Sequence, residues 1–327
     1  MPEANLTTVL AVDIGGTKTA TALVTGEGQV IARRREATAT AGPTDVIEQL
    51  VRVLQDLGNE SGAESPIAVG IGIPAVLETG SDLVIWGPNL PGFRNVKLRE
   101  ALEAAVELPV YLEYDGHTAV LGEWWQGAGR GFQNVVFVII GTGLGGGMVL
   151  DGKLYRGNNR LAGAAGWFTL ATELRKEEPN RRCGHWELLA AGPGITRRTL
   201  DGLKAGRSSG LSAQGLTAEG VFDAARAGDA FAREIVRETA RIIGIGVANI
   251  VSLVNPEVVI LGGGVGTQAD LILEPVRQVV RDQAQPISGA SVQVEVSSLG
   301  EDAGLLGAAY AAFERAGVTR VQASQEA

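Results

Sequence analysis

At 327 residues, 45% of them hydrophobic and 20% charged, the chain is long enough for two globular cores rather than one. Its net charge of −9, from 28 Lys and Arg against 37 Asp and Glu, provides no basic field for nucleic acid, so DNA and RNA are discounted as partners. The single cysteine, Cys183, allows no internal disulfide, and no secretory leader or membrane-length apolar run is read, so a reducing cytoplasm and no membrane partner are expected.

The apolar run Val9 to Ile14 reads as a strand, and Asp13-Ile-Gly-Gly-Thr-Lys-Thr19 forms a glycine loop at its end. Thr19 to Val24 and Gln29 to Arg35 continue a meander through the turn Gly26-Glu-Gly28. Pro43 to Leu57 has helical spacing, Ile67 to Ile73 is a buried strand, Lys97 to Val106 a helix, and Val110 to Tyr114 a strand running into Asp115, with a helix starting near Thr118. A second strand, loop, strand, turn, strand series follows as a weak internal duplication. It comprises Val135 to Ile140, the loop Gly141-Thr-Gly-Leu-Gly-Gly-Gly147, Met148 to Leu150, the turn Asp151-Gly152, and Lys153 to Tyr155. Thr172 to Arg182 reads as a charged, solvated loop and Ala205 to Gly215 as a small-residue connector. Phe231 to Val254 is a long helix, Val258 to Leu261 a strand, Gly262 to Gly266 a third glycine turn, Leu305 to Glu314 a helix, and Thr319 to Ala327 a frayed tail. Alternating strands and helices predict an α/β fold with parallel or mixed sheets. The 46 glycines, about twice the average usage of roughly 7%, are expected at turns and close backbone approaches.

The two separated glycine loops carry the chemistry. Without a Cβ, successive backbone amides can approach a phosphate and form a concave anion site. Lys18 adds a point charge and Thr17, Thr19 and Thr142 add hydroxyl donors, while Asp13 supplies a carboxylate suited to hydrated Mg²⁺. Either loop alone also reads as a plain turn; together they point to a nucleotide.

From Val9 to Glu314 the motifs, taken in order, resemble the ROK sugar kinases, bacterial glucokinases and their relatives. The resemblance rests on Asp13-Ile-Gly-Gly-Thr-Lys18, Pro88-Asn-Leu-Pro-Gly92, Asp115, Gly122-Glu123 with Gly127-Ala-Gly-Arg-Gly131, the Gly141 loop, Asp151 to Gly157, and Asn255-Pro-Glu257 with Gly262-Gly-Gly264. It implies a two-lobed actin-like (ribonuclease H-like) ATPase fold, with 1–116 plus 305–327 as the smaller lobe and 117–304 as the larger. It also implies ATP and Mg²⁺ as cofactors, a sugar in the interlobe cleft, hinge closure and a homodimer. Gly15, Gly16, Thr17, Lys18, Thr19, Gly141, Thr142 and Gly143 look like phosphate clamps, Asp13 holds Mg²⁺ through water, and Gly262, Gly263 and Gly264 face adenosine. Asp115 resembles the general base; read from the residues alone it is also a capping aspartate. Some relatives are repressors with an N-terminal helix-turn-helix, which is not expected with eight residues before the first strand.

The acceptor side departs from the family pattern. Tyr114 stands where Asn is usual, and Gly163-Ala-Ala-Gly-Trp167 replaces a Gly-Glu-x-Gly-His whose Glu and His contact sugar hydroxyls. The zinc knuckle is reduced to Cys183-Gly-His185, too few ligands for a tetrahedral site, so no zinc is expected. Asn89, Asp115 and Glu187 remain as substrate ligands, with Tyr114 and Trp167 as further candidates. Trp167 and Trp186 read equally as sugar-stacking rings or as core, and His117 reads as structural. The expected function is ATP-dependent phosphorylation of a hexose hydroxyl, the 6-hydroxyl of glucose or a related sugar. The alternative is a nucleotide- and sugar-binding protein with altered acceptor specificity or lost kinase activity.

Overall fold

The computed structural model describes residues 7–60, 65–171 and 183–318. The segments read as a charged loop (Thr172 to Arg182) and as a tail (Thr319 to Ala327) lie outside the described residues. The chain opens with β1 (Thr8–Ile14), β2 (Lys18–Thr25), β3 (Val30–Ala37), α1 (Pro43–Asn59) and β4 (Val69–Ile73). Three short strands follow, β5 (Val76–Leu77), β6 (Val84–Trp86) and β7 (Arg94–Val96), then α2 (Leu98–Val106) and β8 (Val110–Tyr114). The first sheet has the order β3-β2-β1-β4-β8, antiparallel across the meander and parallel from β1 through β4 to β8.

The second half begins with α3 (Asp115–Gln126), β9 (Val135–Ile140), β10 (Leu144–Leu150) and β11 (Lys153–Leu154). Then come α4 (His185–Ala190), α5 (Gly192–Lys204), α6 (Ala218–Arg226), α7 (Ala230–Val254), β12 (Val258–Gly262), α8 (Gly263–Gly266), α9 (Ala269–Gln283), α10 (Pro286–Ser291), β13 (Gln293–Val296) and α11 (Ala303–Arg315). Its sheet order, β11-β10-β9-β12-β13, repeats that of the first, with the same antiparallel and parallel partition. The duplication is thus geometric, and the two sheets form the actin-like ATPase fold.

The central strands β1, β4, β9 and β12 are buried on both faces, which is why they read as continuous apolar runs, whereas the edge strand β3 is largely exposed. Leu10 and Val12 of β1 face one core with α1 and α2, whereas Val9 and Ala11 face a second core between the sheets. In β9, Val136 and Val138 pack under α7, and Val135 and Phe137 join the intersheet core. Pro43 starts α1, and Val46, Leu50, Val53, Leu54 and Leu57 recur on one buried stripe. Each such side chain contributes roughly 1.5–3 kcal/mol by leaving water.

The intersheet layer holds α3 and α11, and here the glycine excess acts. A Cβ on Gly307 would lie 1.6 Å from the Thr118 carbonyl oxygen, and one on Gly122 2.0 Å from that of Ala303. Glycine at both positions lets the two backbones touch, which brings Asp115 at the start of α3 close to Asp13 at the end of β1.

Several motif residues serve the scaffold. Asn255 ends α7 in the left-handed conformation, φ 53°, and Pro256 prevents continuation. Glu257 then accepts the amides of Gln133 and Asn134, each at 2.7 Å, fixing the entry to β9. Buried Glu123 accepts the Ala128 amide at 2.8 Å and the Leu299 amide at 3.1 Å, joining the segments that precede β9 and follow β13 to α3.

Candidate active site

Asp13 pairs in register with Gly72 on the parallel strand β4, so its carboxyl stands near the carboxyl edge of the first sheet. After it the Gly15 amide donates to the Lys18 carbonyl at 2.8 Å, closing a tight turn. A cavity of about 250 Å³ opens there, lined by Asp13, Gly15, Lys18, Arg35, Asp115 and Glu301, with Phe137 and Ile139 of β9 as a wall. Gly304, in the first turn of α11, faces Asp13; a Cβ on it would lie 2.8 Å from the Asp13 carboxyl carbon. Gly16 and Thr17 form the exposed tip of the turn, and Gly16 lies against Asn89, whose Cβ would be 3.4 Å from an added Cβ.

One expected contact is not formed. Side chains alternate along β2, so Lys18 and Ala20 line the cavity while the Thr19 side chain points to the other face. There its hydroxyl is 2.9 Å from that of Thr38, and Thr38 donates to the Gly15 carbonyl at 2.7 Å. Thr19 supports the loop from behind.

Asp115 sits at the first position of α3, which begins there and not near Thr118. The cap position belongs to Tyr114, whose side chain makes no capping bond, so the capping reading of Asp115 is not realised. Asp115 Oδ1 accepts the adjacent Gly116 amide at 2.8 Å. The carboxylate is otherwise presented to the cavity by the helix start.

Two recessed carboxyls now share one small space. Burial, followed by the charge of Asp115, pushes Asp13 up to about 7, against the pull of Arg35. Burial likewise pushes Asp115 up to about 6, opposed by the Gly116 amide and then by His117. Arg35 offsets the shift of Asp13 only in part, and a hydrated divalent cation beside Asp13 would supply further positive charge. Asp13 therefore fits the expected Mg²⁺ role. Among the described residues no three His, Cys, Asp or Glu side chains gather as a metal-ligand group.

The sign of the pH effect follows. A carboxyl raised from 3.8 toward about 7 on folding favours the folded state when protonated, so its contribution is complete below 3.8 and is lost as pH rises through 7. Thermal unfolding of the ligand-free chain is expected to show Tm falling across that window, and Asp13→Asn to flatten the fall. An equal slope in both proteins, read by calorimetry, would remove Asp13 as its source.

The second glycine loop lies on a different cavity. Gly141 and Thr142 line a groove of about 820 Å³ together with Gly264, Thr196, Lys204 and Glu219. The Gly141 amide donates to the Gly143 carbonyl at 2.9 Å, and Gly192 at the start of α5 donates to the Gly141 carbonyl at 2.8 Å. β9 connects the two cavities, with Ile139 on one and Gly141 two residues later on the other. Of the third glycine run, only Gly264 opens onto the groove. Gly262 and Gly263 are required by packing: an added Cβ would lie 2.3 Å from Phe137 and 2.5 Å from the Ile140 carbonyl oxygen.

On the acceptor side, Tyr114 is close enough to Asp115 and Glu187 that, after burial, their charges hold its phenol above the usual range. Its hydroxyl would be 3.1 Å from a Cβ on Gly145. Glu187 Oε2 accepts the Leu144 amide at 2.8 Å, so this side chain also shapes the end of the Gly141 loop. Trp167 is 56% exposed, whereas Trp186 is fully buried and stacks on Phe168 at 5.8 Å, placing Trp186 in the core. Ala164 lines a separate apolar cavity with Met148, Phe168 and Leu253. Burial, then Glu187, raises the Cys183 thiol, which disfavours a nucleophilic thiolate. Arg35, Glu301 and Gly304 carry no local signal in the sequence, because one is an arginine on an edge strand and the other two lie far beyond both loops along the chain.

Residues 9–315 match the ROK family model. The chain is 34% identical over 326 residues to a glucokinase of Thermotoga maritima, covering 97% of this chain and 100% of that protein. It is also 31% identical over 273 residues to a xylose repressor of Caldicellulosiruptor bescii, covering 80% of this chain and 67% of the repressor. Among solved structures, a ROK family glucokinase from Streptomyces griseus in complex with glucose and AMPPNP is 31% identical with a TM-score of 0.78, covering 94% of this chain and 99% of that one. A ROK hexokinase from Thermus thermophilus is 30% identical with a TM-score of 0.79, covering 95% and 99% respectively.

Proposed function

This chain belongs to the ROK family, and from that premise we propose that it is an ATP-dependent kinase transferring the γ-phosphoryl group to a hexose hydroxyl, the 6-hydroxyl of glucose or a related sugar. The observation that carries the reading is Asp115, recessed at a helix start with Tyr114 and Glu187 beside it and sharing a cavity with Asp13 and Lys18. The glucokinase relatives and the glucose and AMPPNP complex support the same chemistry.

In this reaction the acceptor hydroxyl gives its proton to Asp115 while its oxygen attacks the γ-phosphorus, and the bond to the ADP oxygen breaks. Phosphoryl transfer is mainly positioning and charge neutralisation, so a carboxylate of ordinary or slightly raised basicity suffices. Lys18 and the amides of Gly15, Gly16 and Thr17 hold phosphate oxygens, and Gly141, Thr142 and Gly143 hold the nucleotide from the second sheet, with adenosine along the groove at Gly264. Mg²⁺, held through water by Asp13, neutralises phosphate charge when bound. Asn89, Glu187 and Tyr114 surround the acceptor, and exposed Trp167 covers it. The lobes 1–116 with 305–327 and 117–304 close on both ligands, and small-angle scattering should register the contraction. A homodimer in the cytoplasm completes the reading; among the described residues no helix is long and apolar enough to cross a membrane.

Tyr114, Ala164 and Trp167 reshape the hydroxyl contacts, so the acceptor preference is expected to differ from that of a site with Asn, Glu and His there. Loss of one buried polar contact to a substrate hydroxyl changes specificity by orders of magnitude. A coupled assay of ADP release over a panel of hexoses, amino sugars and deoxy sugars tests the proposal. Sugar-dependent turnover is the expected result. ATP binding without turnover on any sugar would select the binding-protein alternative.

A further inference from the structure

Behind Asp115 lies a histidine that family resemblance alone leaves without a role. His117 is fully buried in the first turn of α3. Its Nδ1 is 3.0 Å from Glu113 Oε1, and its Nε2 is 2.9 Å from the Ala162 carbonyl oxygen. Both partners are acceptors. The carbonyl has no hydrogen to give, and the other oxygen of Glu113 accepts Arg156 Nε at 2.7 Å, an ion pair that favours the carboxylate. A neutral imidazole has one N–H and one bare nitrogen, so it satisfies only one of these contacts and sets a lone pair against an oxygen in the other. With no exposure to solvent, that mismatch is not relieved by bulk water.

We infer that His117 carries hydrogens on both ring nitrogens in the working protein and acts as a fixed positive charge that positions and ionises the proposed base, Asp115. The inference rests on the reading of Asp115 given above. The charged groups around the ring are consistent with it. Glu113 on β8 and Asp115 on α3 favour the imidazolium. Arg156, 2.7 Å from Glu113 Oε2, and Arg160, which bonds Asp82, oppose it from the segment after β11, but each is itself paired with a carboxylate. Tyr114 presents its ring edge-on at 5.3 Å and adds no charge. The Nε2 bond ties the Ala162 segment, which leads to Ala164 and Trp167, to the helix that bears Asp115, and the Nδ1 bond ties that helix to β8. His117 is therefore a positioning residue whose charge counters the burial of Asp115 and keeps it able to accept a proton.

The test uses the full chain, which contains two histidines, His117 and His185. In nitrogen-detected imidazole NMR, the signals lost in His117→Gln identify the ring. They are expected to show two protonated nitrogens at the neutral pH of the turnover assay, each facing its acceptor. One protonated and one bare nitrogen above pH 7 would overturn the inference, and this readout is independent of sugar turnover. If His117→Gln fails to fold, selective labelling with assignment through a His185→Gln variant gives the same wild-type readout. With a sugar that is turned over, His117→Gln at saturating ATP and Mg²⁺ is expected to move the acid limb of kcat to higher pH, because removing a positive charge makes Asp115 harder to ionise. A change of about one pH unit, or tenfold in kcat below the limb, is expected, with KM for ATP within about twofold. An unmoved limb would remove the charge role. Absence of turnover on every sugar would instead count against the proposed function and leave the NMR result to decide the state of His117.

Discussion

Asp115→Asn is expected to lower kcat by about 10²–10⁴ while changing ATP affinity by no more than about twofold. The amide keeps the size of the side chain and its place beside Gly116, but it does not take the acceptor proton. Because Asp115 shares its cavity with Asp13 and Lys18 and its Oδ1 accepts the adjacent Gly116 amide, its loss removes chemistry with little scaffold. Asp115→Ala should behave similarly in kcat. Isothermal titration with a non-hydrolysable nucleotide, alongside steady-state kinetics, separates the two effects. Near-normal turnover in either variant would remove Asp115 as the base.

The largest stability effect is expected at Gly307. An alanine there sets its methyl 1.6 Å from the Thr118 carbonyl oxygen, inside any allowed contact, and the obstacle is backbone. The helices α3 and α11 must separate, and both are buried nearly throughout. Overpacking of this kind costs roughly 3 kcal/mol or more, a fall in Tm of roughly 6–12 °C for a chain of this size. Thr118 donates to the Asp115 carbonyl at 2.9 Å, so the shift also reaches the base. Gly58→Ala is the control: it lies in α1 and, among the described residues, no atom outside its own helix backbone comes within 4 Å of the new methyl, so it should be neutral or stabilise by about 0.5–1 kcal/mol. Equal melting temperatures for Gly307→Ala and the parent chain, by calorimetry, would show that the crossing is looser than its geometry.

Most strands and the long helices were legible because buried parallel strands are continuous apolar runs and amphipathic helices repeat at their own period. β1, β4, β8, β9 and β12 all fall within two residues of their expected bounds, as do α1, α7 and α11. The three strands β5 to β7 were not, since two or three residues are too few to show a period. β13 and α9 escaped for a different reason: the segment after Gly266 drew no reading, although Ile272, Val276 and Val280 recur at helical spacing. The start of α3 was misplaced because Asp115 and Gly116 resemble a turn, and only packing against Gly146 and α11 winds them into a helix.

In the site, the sequence by itself determined which chemical groups are present: two glycine loops, Asp13, Lys18 and Asp115 in family order, and an acceptor side altered at Tyr114, Ala164 and Trp167. Spacing along the chain carried that much because each loop is a local turn at the end of one strand. The tertiary structure alone decided which of those groups meet. Strand alternation turned Thr19 away from the cavity, packing claimed Trp186, Gly262 and Gly263, the β1-β2-β3 register set Arg35 across from Asp13, and the entry to α11 brought Glu301 and Gly304 there. It also placed two acceptors on the two nitrogens of His117. Apart from Glu113, a few residues before His117, these contacts join residues far apart in the chain, and they arise from the burial of two sheets around one helix pair, which no local pattern encodes.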